Sequence, residues 1–155
     1  MWLIKTRAKA KTQVALDSFK KMTELQPYFR KAKGYAVFPN VGKGGVGIGG
    51  ARGKGEVFQD GKVIGSTTLT QVSIGFQLGG QAFSQIIFFK GKIDLNRFIQ
   101  GNFEFGASAS AALINSGAAV ETSYSNGVAV LTVSKGRLMY EASIGGQKFS
   151  YEPYD

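Results

Sequence analysis

The sequence contains neither cysteine nor histidine among its 155 residues. Without cysteine the chain can form no disulfide, no thiolate nucleophile and no cysteine-ligated metal site. Without histidine it lacks the commonest general base and the usual ligand of zinc and copper. Its ten carboxylates show no recognisable acid and base spacing. We therefore expect a protein that is not an enzyme and that carries no metal ion or other cofactor.

Long apolar stretches are also missing. No run approaches the length of a membrane-spanning helix, and residues 1–4 are too short for the core of a signal peptide. The sequence as written predicts a soluble or peripheral membrane protein of the cytoplasm, and removal of a leader would instead place it in the periplasm or outside the cell. The length predicts a single domain over residues 1–155, with a basic helical segment at 1–33 and a β-rich body at 34–155.

Acidic residues are scarce at the N-terminus. Residues 1–33 hold nine basic and two acidic groups, a net charge of +7, whereas the remaining 122 residues hold ten basic and eight acidic groups, a net charge of +2. A basic segment on a nearly neutral body indicates an anionic partner, either a lipid surface or nucleic acid, although a merely solvated face is also compatible with it. The nine basic residues are Lys5, Arg7, Lys9, Lys11, Lys20, Lys21, Arg30, Lys31 and Lys33.

Residues 8–26 have the periodicity of an amphipathic helix. One stripe at helical spacing is apolar, and Pro27 ends the helix and can open a further turn through Tyr28, Phe29 and Arg30. Two interpretations remain open: the stripe packs on the sheet of the body, or the helix lies on a bilayer with its basic side chains at the headgroups. The stripe consists of Val14, Ala15, Phe19, Met22 and Leu25.

Glycine is abundant and patterned in the first part of the body. Eleven of the 22 glycines lie between Gly34 and Gly65, and Gly45, Gly47 and Gly49 recur every second residue. This is strand periodicity, which leaves one bare face that another strand, a helix or a ligand can approach closely. A bulge is expected at residues 44–45. The run also matches G-x-G-x-x-G, but no helix is predicted after it and position 70 is Thr instead of an acidic residue, which argues against nucleotide binding.

Several further strands and turns are predicted. Asp60-Gly61 is expected to close a hairpin. Residues 72–78 alternate, with Gln71 on the polar face, and residues 86–89 are apolar on both faces, as expected of a central strand. Residues 90–92 form a break, after which Asp94 caps a short helix with Leu95, Phe98 and Ile99 inward. Alternation returns at 103–113, and strands are expected at 118–124, 127–134, 137–144 and 147–152, with turns at 126–127, 135–136 and 145–146.

These elements predict an α+β fold that is mainly β, with a curled or barrel-like antiparallel sheet, an N-terminal amphipathic helix and a short internal helix. We count eight or nine strands. The alternating positions are often Ala or Gly, whereas the strands of a transmembrane barrel need a consistently apolar band facing the lipid. This pattern therefore argues against a transmembrane barrel.

Four ordered segments resemble the SYLF-domain family, and they span roughly residues 8–152. They are AKGYAVFPNVGKGGVGIGGARGKGEVF, GSTTLTQVSIGFQLGGQAFSQIIFF, FEFGASASAAL and VLTVSKGRLMYEASIGGQKF. The resemblance implies a non-enzymatic domain that binds phosphoinositides and other anionic phospholipids, and it relates the chain to fungal actin-regulating proteins and to many bacterial proteins. No SH3 or zinc-binding lipid domain is recognised within these 155 residues.

The resulting hypothesis is that the nine basic residues of the N-terminal segment, together with Lys43, Arg52 and Lys54 in the glycine-rich block, contact an anionic membrane surface. Backbone N–H groups of the glycines could also cup a phosphate, and Arg52 could grip it with two hydrogen bonds. A protein-interaction scaffold, including one that binds actin filaments without lipid, is the alternative. Nucleic acid is disfavoured because most aromatic positions alternate into the expected core.

Overall fold

The computed structural model describes residues 2–42, 50–71, 82–111, 124–134, 137–139 and 143–155. Three helices and eight strands occupy them. Their bounds, in chain order, are α1 (Trp2–Lys20), a 3₁₀ turn (Thr23–Leu25), α2 (Gln26–Lys31), β1 (Gly34–Val41), β2 (Ala51–Gln59), β3 (Lys62–Gln71), β4 (Phe83–Phe89), α3 (Lys92–Ile99), β5 (Phe103–Glu104), β6 (Val128–Ser134), β7 (Arg137–Met139) and β8 (Lys148–Pro153).

The eight strands form a single sheet in the order β5-β8-β3-β2-β1-β4-β6-β7. Every neighbouring pair is antiparallel. The sheet curls into a half-barrel, so the prediction of a mainly β, curled antiparallel sheet with an N-terminal helix and a short internal helix is confirmed. Within the described residues, no helix combines the length and the apolar character needed to cross a bilayer.

Each face of the sheet carries its own hydrophobic core. The outer face is covered by α1 and α2, whose Leu16, Phe19 and Tyr28 pack on strands β1, β2, β4 and β6. The inner, concave face is filled by residues of α3 and of β8, including Leu95, Phe98 and Phe149. Because side chains alternate along a strand, β4 contributes Ile86 and Phe88 to the outer core and Ile87 and Phe89 to the inner one. This confirms the prediction that residues 86–89 form a central strand.

Strand β1 approaches β2 unusually closely at a glycine of β2. A Cβ atom at Gly55 would collide with the carbonyl oxygen of Val37 and would lie 2.8 Å from Cδ1 of Phe38, both on β1. A side chain there would force the two strands apart, so glycine permits the close approach that a tightly curled sheet requires. The close neighbour predicted from glycine periodicity is therefore a strand at this position, whereas residues 43–49, including the expected bulge, lie outside the described residues.

Three buried glutamines connect distant strands across the concave side. Nε2 of Gln147 donates to Oε1 of Gln71 at 3.1 Å and to Oε1 of Gln85 at 3.0 Å, and Nε2 of Gln85 donates back to Oε1 of Gln147 at 2.8 Å. All three are at most 2% exposed. The expectation that Gln71 lies on a polar outer face is wrong, because its amide hydrogen-bonds inside the curl. Since β3 and β4 are separated by two strands, these bonds hold the sheet in its curled form.

The turns that were predicted from glycine are largely confirmed. Asp60 and Gly61 have φ of 52° and 77° between β2 and β3, and Asn126 and Gly127 have φ of 53° and 82° before β6. Gly146, two residues before the start of β8, has φ of 82°. These left-handed conformations are those that Gly, Asn and Asp tolerate best. The turn expected at 135–136 and the strand expected at 72–78 lie outside the described residues, as does the strand expected at 118–124 except for its last residue.

Three predicted elements need correction. The first helix starts earlier and ends at Lys20 instead of residue 26, and Val14 is 67% exposed because Thr12, Leu16 and Phe19 form the buried stripe. In the described part of the strand expected at 103–113, residues 103–104 form β5 and Ser110 forms an isolated bridge, because the chain turns where Ala109 N donates to Gly106 O. Finally, Asp94 is not the N-cap of α3 but its third residue, and its carboxylate accepts the N–H of the N-cap Gly91 at 2.9 Å.

Candidate functional site

A cleft lies where the ends of α1 and α2 meet the start of β1 and the β2–β3 turn, and we call it the basic cleft. Its volume is about 460 Å³. Its cations are Lys20, Arg30 and Lys33, and Asp60 is its carboxylate. All four side chains are exposed. The remaining lining residues are Gln26, Phe29, Ala32, Gly34, Tyr35 and Gly61.

The break between α1 and α2 places the three cations of the basic cleft together. The helix stops at Lys20, and the side-chain amide of Gln26 donates to the carbonyl oxygens of Lys20 and, at 3.3 Å, of Met22. Pro27 follows as the second residue of α2, where it is tolerated because the N–H groups of the first turn have no intrahelical acceptor. A single straight helix would have carried Lys20 and Arg30 about 15 Å apart along its axis.

Aromatic rings form the floor of the basic cleft. Phe29 packs edge-on against Tyr35, with ring centroids 5.3 Å apart, and Tyr35 stacks on Phe58 at 5.2 Å. Phe29 also meets Phe88 of β4 edge-on at 5.0 Å. Burial raises the pKa of the Tyr35 phenol above its ordinary value, so this ring stays neutral at physiological pH. The cations at the rim of the cleft therefore lie above packed, uncharged aromatic rings.

The structure separates the predicted site residues into groups. Lys20, Arg30 and Lys33 line the basic cleft, and the exposed Lys21 and Lys31 adjoin it in sequence. The ammonium group of Lys9 lies 5.8 Å from the centre of the Tyr154 ring, and Lys11 is exposed on α1. Lys5 and Arg7 belong to the first half of α1, and Lys43 lies outside the described residues.

Arg52 and Lys54 lie at the other end of β2 from the basic cleft. Both are exposed, and they pair with Thr70 and Thr68 of β3. The six to eight residues that separate them from Asp60 correspond to about 20–26 Å of extended strand. They therefore cannot share one headgroup with the cleft cations, and the helix that would begin after the glycines in a nucleotide site is replaced by β2.

Further cations lie at the end of the sheet that holds the basic cleft, and the sequence did not predict them as site residues. Lys62 follows the β2–β3 turn, and Lys90 and Lys92 follow β4. They reach this end because, in the observed strand order, the end of β2 and the end of β4 both lie beside the start of β1. This is what the pairs Gly34↔Gln59 and Gly34↔Phe89 show. The sequence predicted the two breaks but not that they meet at one end.

No group of three metal-ligating side chains is found among the residues that the structure describes. The arrangement is instead a set of exposed cations around a cleft, beside the exposed backbone of Gly61. Such a surface binds anionic groups by charge and hydrogen bonding.

Fold and site together define a β-rich domain with a cleft lined by exposed cations. A family model described as "Ysc84: Las17-binding protein actin regulator" matches residues 70–152, just over half of the chain. The chain belongs to this family, which confirms the resemblance found in the sequence. The family description is one of binding and regulation. No curated protein matches the chain.

Proposed function

We propose that the protein is a non-enzymatic domain that binds anionic phospholipids at a membrane surface and holds a phosphate-bearing headgroup in the basic cleft. The observation that carries this proposal is the convergence of Lys20, Arg30 and Lys33 on one cleft. A phosphomonoester carries a charge between about −1.5 and −2 at neutral pH. With Asp60 included, the four charged groups of the cleft sum to +2, which complements one such group.

The mixed chemistry of the basic cleft favours a polyol phosphate, such as a phosphoinositide headgroup. Cations can bind its phosphates, and Arg30 can do so with two parallel hydrogen bonds. The Asp60 carboxylate can accept hydrogen bonds from ring hydroxyls, which a simple phosphate does not offer. The cleft volume of about 460 Å³ lies within the range usual for small-ligand sites.

Neutralising the cleft tests this proposal, with a matched variant of equal charge. Each cation close to an anionic bilayer contributes about 1 kcal/mol, so the double change Arg30→Gln with Lys33→Gln should weaken partitioning about 30-fold. The control, Arg52→Gln with Lys54→Gln, removes the same net charge from the far end of β2. Beyond a Debye length of about 8 Å its charges are screened from the cleft, so it should change partitioning far less.

The measurement is co-sedimentation with vesicles of phosphatidylcholine alone, with added phosphatidylserine, or with added phosphatidylinositol phosphate. An inositol polyphosphate should compete for the cleft more strongly than inorganic phosphate. Equal weakening by the two double variants would mean that only total charge matters, and indifference of the full chain to lipid charge would refute the proposal.

A protein-binding scaffold is the second candidate, and the family description favours it, since it names binding to a protein and actin regulation. Co-sedimentation with actin filaments in the absence of lipid tests it. Saturable binding that is unchanged by the Arg30→Gln, Lys33→Gln variant would support a scaffold whose protein site lies elsewhere.

A further inference from the structure

A second feature stands beside the basic cleft, at the junction of β4 and α3. We call it the β4–α3 tip and define it as residues 90–93, with the sequence Lys-Gly-Lys-Ile. Ile93 is 76% exposed. Among the residues whose side-chain exposure the structure describes, the other exposed large hydrophobic side chain is Val14, on α1. A single exposed aliphatic residue is common on protein surfaces and carries no inference alone.

The surroundings of Ile93 distinguish it from an ordinary surface residue. Lys90 and Lys92 are exposed on either side of Gly91. The tip adjoins the basic cleft, because the backbone N–H of Lys33 donates to the carbonyl oxygen of Phe89 at 2.9 Å. Lys62 is placed at the same end by the pairing of Gln59 with both Gly34 and Lys62.

The cations of this end outnumber its carboxylates. Asp94 is engaged by Arg97 at 3.6 Å and by the N–H of Gly91, Asp60 lines the cleft, and Glu24 is exposed on the adjacent 3₁₀ turn. Strands lie about 4.8 Å apart, so the three spacings between Lys62 on β3 and the end of β4 cover only about 14 Å. The exposed cations of this end are Lys20, Arg30, Lys31, Lys33, Lys62, Lys90 and Lys92.

The geometry points to this end of the sheet as the face that the protein turns toward an anionic bilayer, with Ile93 entering the interfacial region while α1 stays docked. This inference rests on the proposed function and adds the orientation of the protein on the membrane. A cationic rim around one exposed aliphatic side chain is complementary to a layer of anionic headgroups over acyl chains. In α1, by contrast, Thr12, Leu16 and Phe19 are at most 2% exposed, so insertion of this helix would first require it to leave the sheet.

The absence of cysteine allows a direct test. Ile93→Cys and Val14→Cys each create a single site for an environment-sensitive fluorophore, and Val14 is the matched control because it is the other exposed aliphatic residue. With phosphatidylserine vesicles, the label at 93 should shift to shorter wavelength and become accessible to quenchers in the acyl chains, and the label at 14 should not. A shift at 14 in place of 93 would overturn the inference in favour of helix insertion.

Unlabelled variants provide the second measurement. Ile93→Ser should lower vesicle partitioning about tenfold, as expected for losing the burial of most of one aliphatic side chain, whereas Ile93→Leu should keep it. Because residue 93 is exposed, neither change should alter the melting temperature. If the full chain still sediments with anionic vesicles but Ile93→Ser has no effect, the orientation is wrong and the proposed function stands. If Ile93→Ser instead weakens only binding to an acidic protein surface, the tip is a protein contact and the inference fails.

Discussion

Replacing Gln147 by Leu should destabilise the fold by about 3 kcal/mol. The amide of Gln147 takes part in three buried hydrogen bonds, two with Gln85 and one with Gln71. Each neutral hydrogen bond contributes about 1 kcal/mol net, and the partners left behind are buried without compensation. For a chain of this length, 1 kcal/mol corresponds to about 2–4 °C in melting temperature, so we expect a decrease of about 6–12 °C.

The informative comparison is the double variant Gln85→Leu with Gln147→Leu. It removes both members of the reciprocal pair and leaves only Oε1 of Gln71 without its donor. The double variant should therefore recover about 2 kcal/mol relative to Gln147→Leu, because an apolar pair of similar shape replaces two unsatisfied polar groups. Urea unfolding of the two single variants and the double variant gives the coupling energy. Additive losses would refute the view that these amides stabilise the curl as a connected set.

Three further predictions concern local contacts. Burial raises the pKa of Tyr154 above its ordinary value of 10.0, assisted by its 2.8 Å hydrogen bond to the Glu56 carboxylate and by the charge of that carboxylate. Its contribution to stability is complete below about pH 10 and is lost at higher pH, so Tyr154→Phe should flatten the alkaline decline in urea unfolding. Gly127→Ala should lower stability by about 2 kcal/mol or more in thermal unfolding, because its φ is 82° and a Cβ would collide with Asp94. Asp94→Ala should lower the stability measured by urea unfolding by about 1 kcal/mol through loss of the acceptor for the Gly91 N–H, whereas Asp94→Asn should retain most of it; equal losses would contradict the capping role.

Local signals in the sequence predicted the central strand and several of the turns. The apolar run at residues 86–89 identified β4, and the dipeptides at 60–61 and 126–127 identified two turns. These features depend on neighbours within a few residues, and the physical preferences of β-branched, aromatic and glycine residues act at that range. The SYLF resemblance was likewise confirmed by the family match.

Long-range features were not predicted. Gln71 was assigned to a polar face because a glutamine in an alternating strand usually faces solvent, and only the approach of Gln147 and Gln85 makes its burial favourable. The end of α1 was placed too late because Leu25 continues the helical spacing, although its side chain is buried from the 3₁₀ turn. The contributions of Lys62 and Lys90 to the cationic end depended on strand order, which the sequence did not specify.

The position of Ile93 next to β4 bears on the entropy of binding. Strand β4 has both faces covered, and Ile86 to Phe89 are all 0% exposed, so the residues that follow it start from a rigid support. A side chain held on such a support loses little freedom when it meets a partner, since the ordering was completed during folding. Contact through residues 90–93 would therefore need no prior refolding of the chain. The association rate would be set by diffusional encounter with the partner and not by a conformational change of the protein.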